Sequence, residues 1–406
     1  MKKIVFALSL ITIMVNTYGQ KFDNLALTPP MGWNSWNTFA TEINEKLIKE
    51  TVNAIVESGL LEAGFEYLVL DDGWMAMQRD EDGKLYGDPD KFPSGMKALG
   101  DYIHSKGLKF GIYNCAGSKT CGGYPGSRGH EYIDAQSYAD WGVDYLKYDW
   151  CYTEKLNAEG AYMTMRDALY ATGRPIVFSI CEWGSNKPWE WGKDIGHLWR
   201  ITGDITNCWD CEIGHGSWSA LGIWKIINMR KDIRKYAGPG HWNDFDMMEV
   251  GNELTDAENR SHFVMWSILA SPLIMGNDVC SVDKETLKTL TNKEVIAVNQ
   301  DKLGIQGFRF SNEHNIEIWL KPLSNNEWAI SFINMNDKPF NLEFDWLKHG
   351  IGDDFNRRNI DFRNQTYEIR DLFRHELIGN TTESLKTTLE VHDVLLIKLI
   401  KKENFD

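Results

Sequence analysis

From about residue 30 onward the chain carries two hydrophobic rhythms. Short apolar runs end in polar or charged residues: MGWNSW (31–36), YLVLDD (67–72), KFGIYNC (109–115), YLKYD (145–149), PIVFSICE (175–182), LWRITGD (198–204), GHWNDFD (240–246) and SPLIMG (271–276). Helical spacing fills the gaps between them. In the first gap Ile43, Leu47, Ile48, Val52, Ile55 and Val56 fall on one face, and Gly59 supplies the stop. Eight strand-like runs alternating with helices predict an α/β fold, a (β/α)8 barrel. After about Asp301 the period drops to two in GFRFS, IEIWLKPL, WAISFIN, FNLEFDW and VLLIKLI, separated by Asn, Asp, Gly and Lys turns. That pattern predicts a C-terminal antiparallel β-sandwich, and it contains no catalytic motif. The expected division is a leader over 1–20, a catalytic barrel over 21–300 and a β domain over 301–406.

The leader reads as a secretory signal peptide: MKK, an apolar run from Ile4 to Val15, then small and polar residues up to Gln20. It is too short to span a bilayer, and no later run is long enough. The expected location is therefore exported, periplasmic or secreted. A net charge of −15 argues against nucleic acid or an anionic membrane as partner, because both need a basic face. A neutral ligand fits better, and the 17 Trp suit the faces of sugar rings as well as core packing. Seven cysteines leave at least one thiol unpaired unless chains are linked, and Cys208-Trp-Asp-Cys211 reads as a local bridge or two inert thiols rather than a metal or redox motif.

In a barrel of this kind the C-terminal strand ends converge on one face and form the active site. Those ends carry Trp33 and Trp36, Asp71 and Asp72, Tyr113, Lys147 and Asp149, Glu182, Arg200 and Asp204, and Asp244 and Asp246. A ring of carboxylates with two cations is poor for phosphate and good for a polyhydroxylated neutral molecule. Two carboxylates flanking one bond are what glycoside hydrolysis needs. Asp149 is the candidate nucleophile, kept charged by Lys147 two residues before it on the same side of the pleat. Asp204, beside Gly203, is the candidate acid, its proton retained by burial or by neighbouring carboxylates. Other readings stay open for some residues: Asp71-Asp72 as a helix N-cap pair, Trp33 as core, and His241 to Asp246 as a divalent-metal site. A metal hydrolase would want more histidines at the strand ends, so neither metal nor cofactor is expected.

LTPPMGWNSWN, YLVLDDGW, GIYNCAG, the KTC ending at Cys121, PGSRGHEYIDAQSYADWGVDYLKYDWC, CEWG, WRITGDI, AGPGHWNDFDMMEVG and MWSILASPLIMGND resemble, in order, the sequence blocks of glycoside hydrolase family 27, the α-galactosidases of clan D. The resemblance runs from about Leu27 to the end. It implies a retaining mechanism with Asp149 as nucleophile and Asp204 as acid/base. It also implies a galactose pocket of Trp36, Asp71, Asp72, Tyr113, Lys147, Glu182, Arg200, Asp246 and Met247, and a Cys121–Cys151 bridge beside the nucleophile. The implied partner is a terminal α-galactoside on an oligosaccharide, polysaccharide or glycoconjugate. Alternatives are a β-L-arabinopyranosidase, an α-N-acetylgalactosaminidase, or a non-catalytic sugar-binding protein on the same scaffold. Glu182 fills the space an acetamide needs, and both acids of the Asp pair keep their short side chains, so the resemblance favours galactose. Three places depart from the family pattern: Thr41 and Gly73 stand where many members bridge two cysteines, Gly196 leaves Cys181 without a partner, and Cys115 stands where Asp or Ser is common.

Overall fold

A computed structural model of the chain describes residues 21–401; the segment read as a signal peptide lies outside them. Among the described residues no helix is long and apolar enough to cross a membrane. Eight parallel strands form one sheet: β1 (Met31–Asn34), β2 (Tyr67–Leu70), β3 (Lys109–Cys115), β4 (Tyr145–Asp149), β5 (Val177–Cys181), β6 (Leu198–Arg200), β7 (Trp242–Asp244) and β8 (Leu273–Met275). Their order is β8-β1-β2-β3-β4-β5-β6-β7. The ring closes through the residues that follow β7, because Met248 bridges Met275 and its N–H donates to the Ile274 carbonyl (2.7 Å).

The alternation of the strands decides what fills the barrel. Outward-pointing Leu68, Leu70, Phe110, Ile112, Leu146, Tyr148, Phe178, Ile180 and Trp199 join the large core under the helices. Inward-pointing Tyr67, Val69, Tyr145, Val177, Leu198 and Trp242 form a separate plug inside the ring. Two or four residues further along the same strands, the inward positions become Asp71, Lys147, Asp149, Arg200 and Asp244. Each strand therefore changes from apolar to charged as it climbs to the mouth.

The first helix runs over Glu45–Glu57, capped by Asn44, whose side chain accepts from the Leu47 N–H. Its buried stripe is Ile48, Thr51, Val52 and Ile55, while Val56 is 38% exposed. The spacing i, i+3, i+4, i+7 from Ile48 selects Thr51 and leaves Val56 one step around the helix, so the apolar face is narrower than its apolar residues suggest.

The C-terminal region is antiparallel throughout. Six strands pair in the order Phe308–Glu313, Ile316–Pro322, Trp328–Asn334, Val394–Lys401, Tyr367–Asp371 and Glu376–Asn380, and Phe340–Phe344 pairs with Leu385–Leu389. Its central strands Ile316–Pro322 and Trp328–Asn334 are buried on both faces. Trp319, Ala329, Ile333, Val394 and Leu396 point to the barrel, whereas Leu320, Ile330, Phe332, Ile397 and Leu399 enter a second core with Phe344 and Trp346. Ion pairs Arg260–Asp393, Arg234–Asp353 and Arg370–Glu294 tie the two regions together at 2.7–2.8 Å.

Candidate active site

Strand register sets the layers of the mouth. Tyr113, Lys147 and Ser179 are mutual partners across β3, β4 and β5, and Cys115, Asp149 and Cys181 form the next layer. Arg200 pairs with Asp244 across β6 and β7. A small cavity opens above, lined by Trp36, Asp71, Tyr113, Lys147, Asp149, Asp204, Asp246 and Met247, all of which the sequence nominates, and by Asn37, Cys121 and Trp183. Asp72, Glu182 and Arg200 do not line it.

Asp149 is buried, 6% exposed, at the floor. Its Oδ2 accepts from the Tyr113 hydroxyl (2.9 Å) and its Oδ1 from the Trp150 N–H (2.8 Å). The Cys121 sulfur, closed in a disulfide with Cys151, lies 3.4 Å from Oδ2. Lys147 does not bond Asp149; its Nζ donates to Asp71 Oδ2 at 2.8 Å, and burial works against its charge while Asp71 holds its pKa well above the ordinary lysine range. Burial pushes the Asp149 carboxyl up to about 7, with Asp204 adding to the rise and Lys147 opposing it. The cation therefore acts in the direction the sequence suggests, but desolvation wins.

The acid pair on β2 is pinned from all sides. Asp71 takes the Asn34 side-chain amide (2.7 Å) as well as Lys147, and Asp72 takes the N–H groups of Gly73 (2.9 Å) and Gly122 (2.7 Å). Burial pushes Asp72 up to about 6. No helix starts there, since the next one begins at Gly95, which removes the N-cap reading. Thr41 sits against Gly73: a Cβ on that glycine would lie 2.8 Å from the Thr41 Cβ, so the two departures from the family pattern are neighbours in space.

On the opposite wall Arg200 Nη2 bridges Asp204 Oδ1 (3.0 Å) and Asp246 Oδ2 (2.6 Å). The Asp204 side chain is 40% exposed, so of burial and a neighbouring carboxylate, the two surroundings the sequence allows for it, the structure provides the second, Asp246 on the same guanidinium. Asp246 has φ 81°, a left-handed backbone that costs a non-glycine residue about 1–3 kcal/mol. Arg200, the Ile205 N–H on Oδ2 (2.8 Å) and the Trp266 indole on the Asp246 carbonyl (2.7 Å) hold it there. Glu182 is fully buried and pushed up to about 7 by burial. Asn186 satisfies its Oε2, while Oε1 and the Arg200 Nε have no partner in the protein. Buried polar atoms are rarely left so, and neither atom belongs to a residue that lines the cavity.

Trp33 is fully buried, its indole N–H donating to the Asn277 carbonyl (2.8 Å), so it is core. His241 precedes β7 and Asp246 follows it, which puts them at opposite ends of the barrel and separates the ligand types of the metal reading. Among the described residues no cluster of three or more His, Cys, Asp or Glu could hold a metal ion. Cys208 and Cys211 form a disulfide, and Cys115, Cys181 and Cys280 are free. Sequence reasoning missed Asn34, Asn37, Trp183 and Glu249. Asn34 and Asn37 lie inside the GWNSWN run, a signal that could have found them; Glu249, bonded by Asn37 and Asn252 and pushed up to about 7 by burial, follows no pattern.

A model of the α-galactosidase A family matches residues 28–301, and one of the α-galactosidase C-terminal β-sandwich domain matches residues 313–399. α-Galactosidase A of Cellvibrio japonicus is 50% identical over 401 residues, covering 98% of this chain and 99% of its own. α-Galactosidase I from Mortierella vinacea superposes with a TM-score of 0.87 at 36% identity, over 93% of this chain and 98% of that one. The Saccharomyces cerevisiae α-galactosidase solved with raffinose gives a TM-score of 0.85 at 30% identity, over 95% and 100%. The chain belongs to the α-galactosidases of glycoside hydrolase family 27.

Proposed function

We propose that the protein hydrolyses terminal, non-reducing α-D-galactosyl residues by double displacement. Asp149 attacks the anomeric carbon and forms a galactosyl ester while Asp204 gives its proton to the leaving oxygen; Asp204 then takes a proton from water, which cleaves the ester with net retention. The observation that carries this reading is the meeting of Asp149 and Asp204 in one cavity, one buried and hydrogen-bonded at its floor, the other half-exposed on its wall. A buried nucleophile attacks without a water shell to shed, and an acid open to one side can reach the departing group. Asp71 and Lys147 hold the 4- and 6-hydroxyls within a pocket shaped by Trp36, Tyr113, Asp246 and Met247, and Asp72, Glu182 and Arg200 back that pocket from outside its lining, Asp72 beside Asp71 and Arg200 through its ion pairs to Asp204 and Asp246. The bulk of the Cys181-Glu182-Trp183 corner, with Trp183 on the cavity wall, supports galactose over its N-acetylamino analogue.

The first-formed sugar anomer decides the stereochemistry: proton NMR of the reaction on an aryl α-galactoside gives α-galactose first, and β-galactose first would overturn retention. Side-by-side rates on aryl α-galactoside, β-L-arabinopyranoside and α-N-acetylgalactosaminide rank the substrates, with the galactoside fastest. We also infer export after removal of residues 1–20, and a catalytic unit over 21–300 followed by a β domain over 301–406. The Cys121–Cys151 and Cys208–Cys211 bridges support an oxidising compartment, and the change of family model after residue 301 supports the boundary.

A further inference from the structure

Beyond the galactose cavity lies a wider groove that shares Trp36, Asn37 and Asp204 with it, so it starts where a bound galactose ends and the leaving group begins. Its far wall is a hairpin of Glu212–Gly214 and Ser219–Leu221. At the tip the His215 N–H donates to the Trp218 carbonyl (2.8 Å), and the His215 and Trp218 rings stack with centroids 4.4 Å apart and planes 20° apart. Trp218 remains 51% exposed. The other groove residues mix polar Asn207, Asn252 and Glu253 with apolar Ile205 and Ala220, so beyond Trp36 the indole is the large aromatic face of a mixed wall.

We propose that Trp218, supported by His215, is the platform of a leaving-group subsite that takes a neutral sugar ring. This rests on the galactosidase reading above. An aromatic face with polar neighbours suits a pyranose, whose axial C–H groups stack and whose hydroxyls hydrogen-bond around the rim. Glu253 in the same groove selects against an anionic leaving group.

The hairpin is indexed to the acid. The Leu221 N–H donates to the Asp204 carbonyl (2.8 Å), Thr206 N–H donates to the Leu221 carbonyl (2.9 Å), and Ile205 bridges Leu221. At its base the Cys208–Cys211 disulfide and the Gly222 N–H on the Cys211 carbonyl (2.8 Å) fix the return of the chain. A sugar seated on Trp218 is thereby held in register with the carboxyl that protonates its glycosidic oxygen, a use of remote binding to orient the reacting centre.

The test compares Trp218→Ala with the intact enzyme on four α-galactosyl donors: raffinose, melibiose, a galactosylated mannooligosaccharide and α-galactosyl fluoride. Fluoride is too small to reach the hairpin. The expected result is a fall in kcat/KM of about tenfold on the sugar leaving groups, the scale of one lost stacking contact, with the fluoride rate unchanged and Trp218→Phe close to the intact enzyme. A loss on either the raffinose series or the mannooligosaccharide supports the subsite, and the arm that loses more names the source of the substrate. An equal fall on fluoride would mean that the hairpin only props up the Asp204 segment, and no fall anywhere would mean that no sugar sits there; either overturns the proposal. An intact enzyme inactive on all four donors would instead sink the galactosidase reading itself.

Discussion

The mouth of the barrel and the centre of the large C-terminal sheet both bury their side chains and are built from opposite materials. In the sheet, alternate residues go to two apolar cores, and Phe332, Ile397 and Leu399 each meet hydrophobic neighbours. At the mouth, burial encloses Asp71, Asp72, Asp149, Glu182, Asp244 and Asp246 with only Lys147 and Arg200 among them as cations. Desolvating so many carboxylates costs stability, and the strained Asp246 adds to that cost. Local propensity, pattern and packing agree in the sheet and conflict at the mouth, which is where a functional site is expected to break the rules of a stable fold. The difference teaches that burial stabilises one end of the molecule and prepares the other to react.

The sharpest way to break the comparison is to change one residue on each side. Asp149→Asn removes the proposed nucleophile and leaves the shape, so kcat on an aryl α-galactoside should fall by at least about 10³-fold. The same change relieves a buried charge, and the melting temperature should hold or rise. A variant with near-normal turnover would remove Asp149 from the mechanism. Phe332→Ala empties a site that is fully buried and edge-on to Phe344, at 5.3 Å. It should cost about 3–5 kcal/mol in chemical denaturation and leave kcat/KM at low temperature unchanged. If activity fell in step with stability, the two regions would not be the separate devices described.

How much of this is legible in the chain follows the same divide. Strand-end acids are readable because an apolar run that stops on a carboxylate is a local pattern, which is why Asp149, Asp204 and Asp246 stand out. The partner of Lys147 is not readable from Lys147 alone: it is Asp71, 76 positions away and two strands across the ring, rather than Asp149 beside it. Glu249 and Trp183 lie just past their strands, where no period marks a side chain as facing the cavity. The hairpin carrying Trp218 has strands of three residues, too short for an alternation to register. The β domain is legible in its long strands and not in Ile351–Asp353 and Arg358–Ile360, for the same reason of length. Net charge shifts are the least readable, because Lys147 near Asp149 argues for a low pKa and only the packed barrel shows that desolvation outweighs it.

That last point yields the smallest and most diagnostic effect, the pH dependence of stability. Burial raises Asp72 and Asp244 to about 6 and Asp149, Glu182 and Glu249 to about 7, against about 4 in the unfolded chain. A raised folded pKa means that the folded state holds protons the unfolded state has lost, so each contribution is complete below about 4 and is lost as pH climbs through 6 to 7. Three histidines pull the other way: burial lowers His197 and His241 to about 4 and His262 to about 3, so their contributions are lost as pH falls below about 6.5. Five acids against three histidines leave a net decline between pH 5 and 7, and above about 6.5 the acids act unopposed by the histidines. The melting temperature should therefore be lower at pH 7 than at pH 5. Asp149→Asn removes one of the five acids and should make that decline shallower, whereas Phe332→Ala should lower the whole curve without changing its slope. A flat or rising profile in the intact protein would mean that the mouth is wetter than its packing implies, and that its carboxylates do not carry the cost that separates it from the sheet.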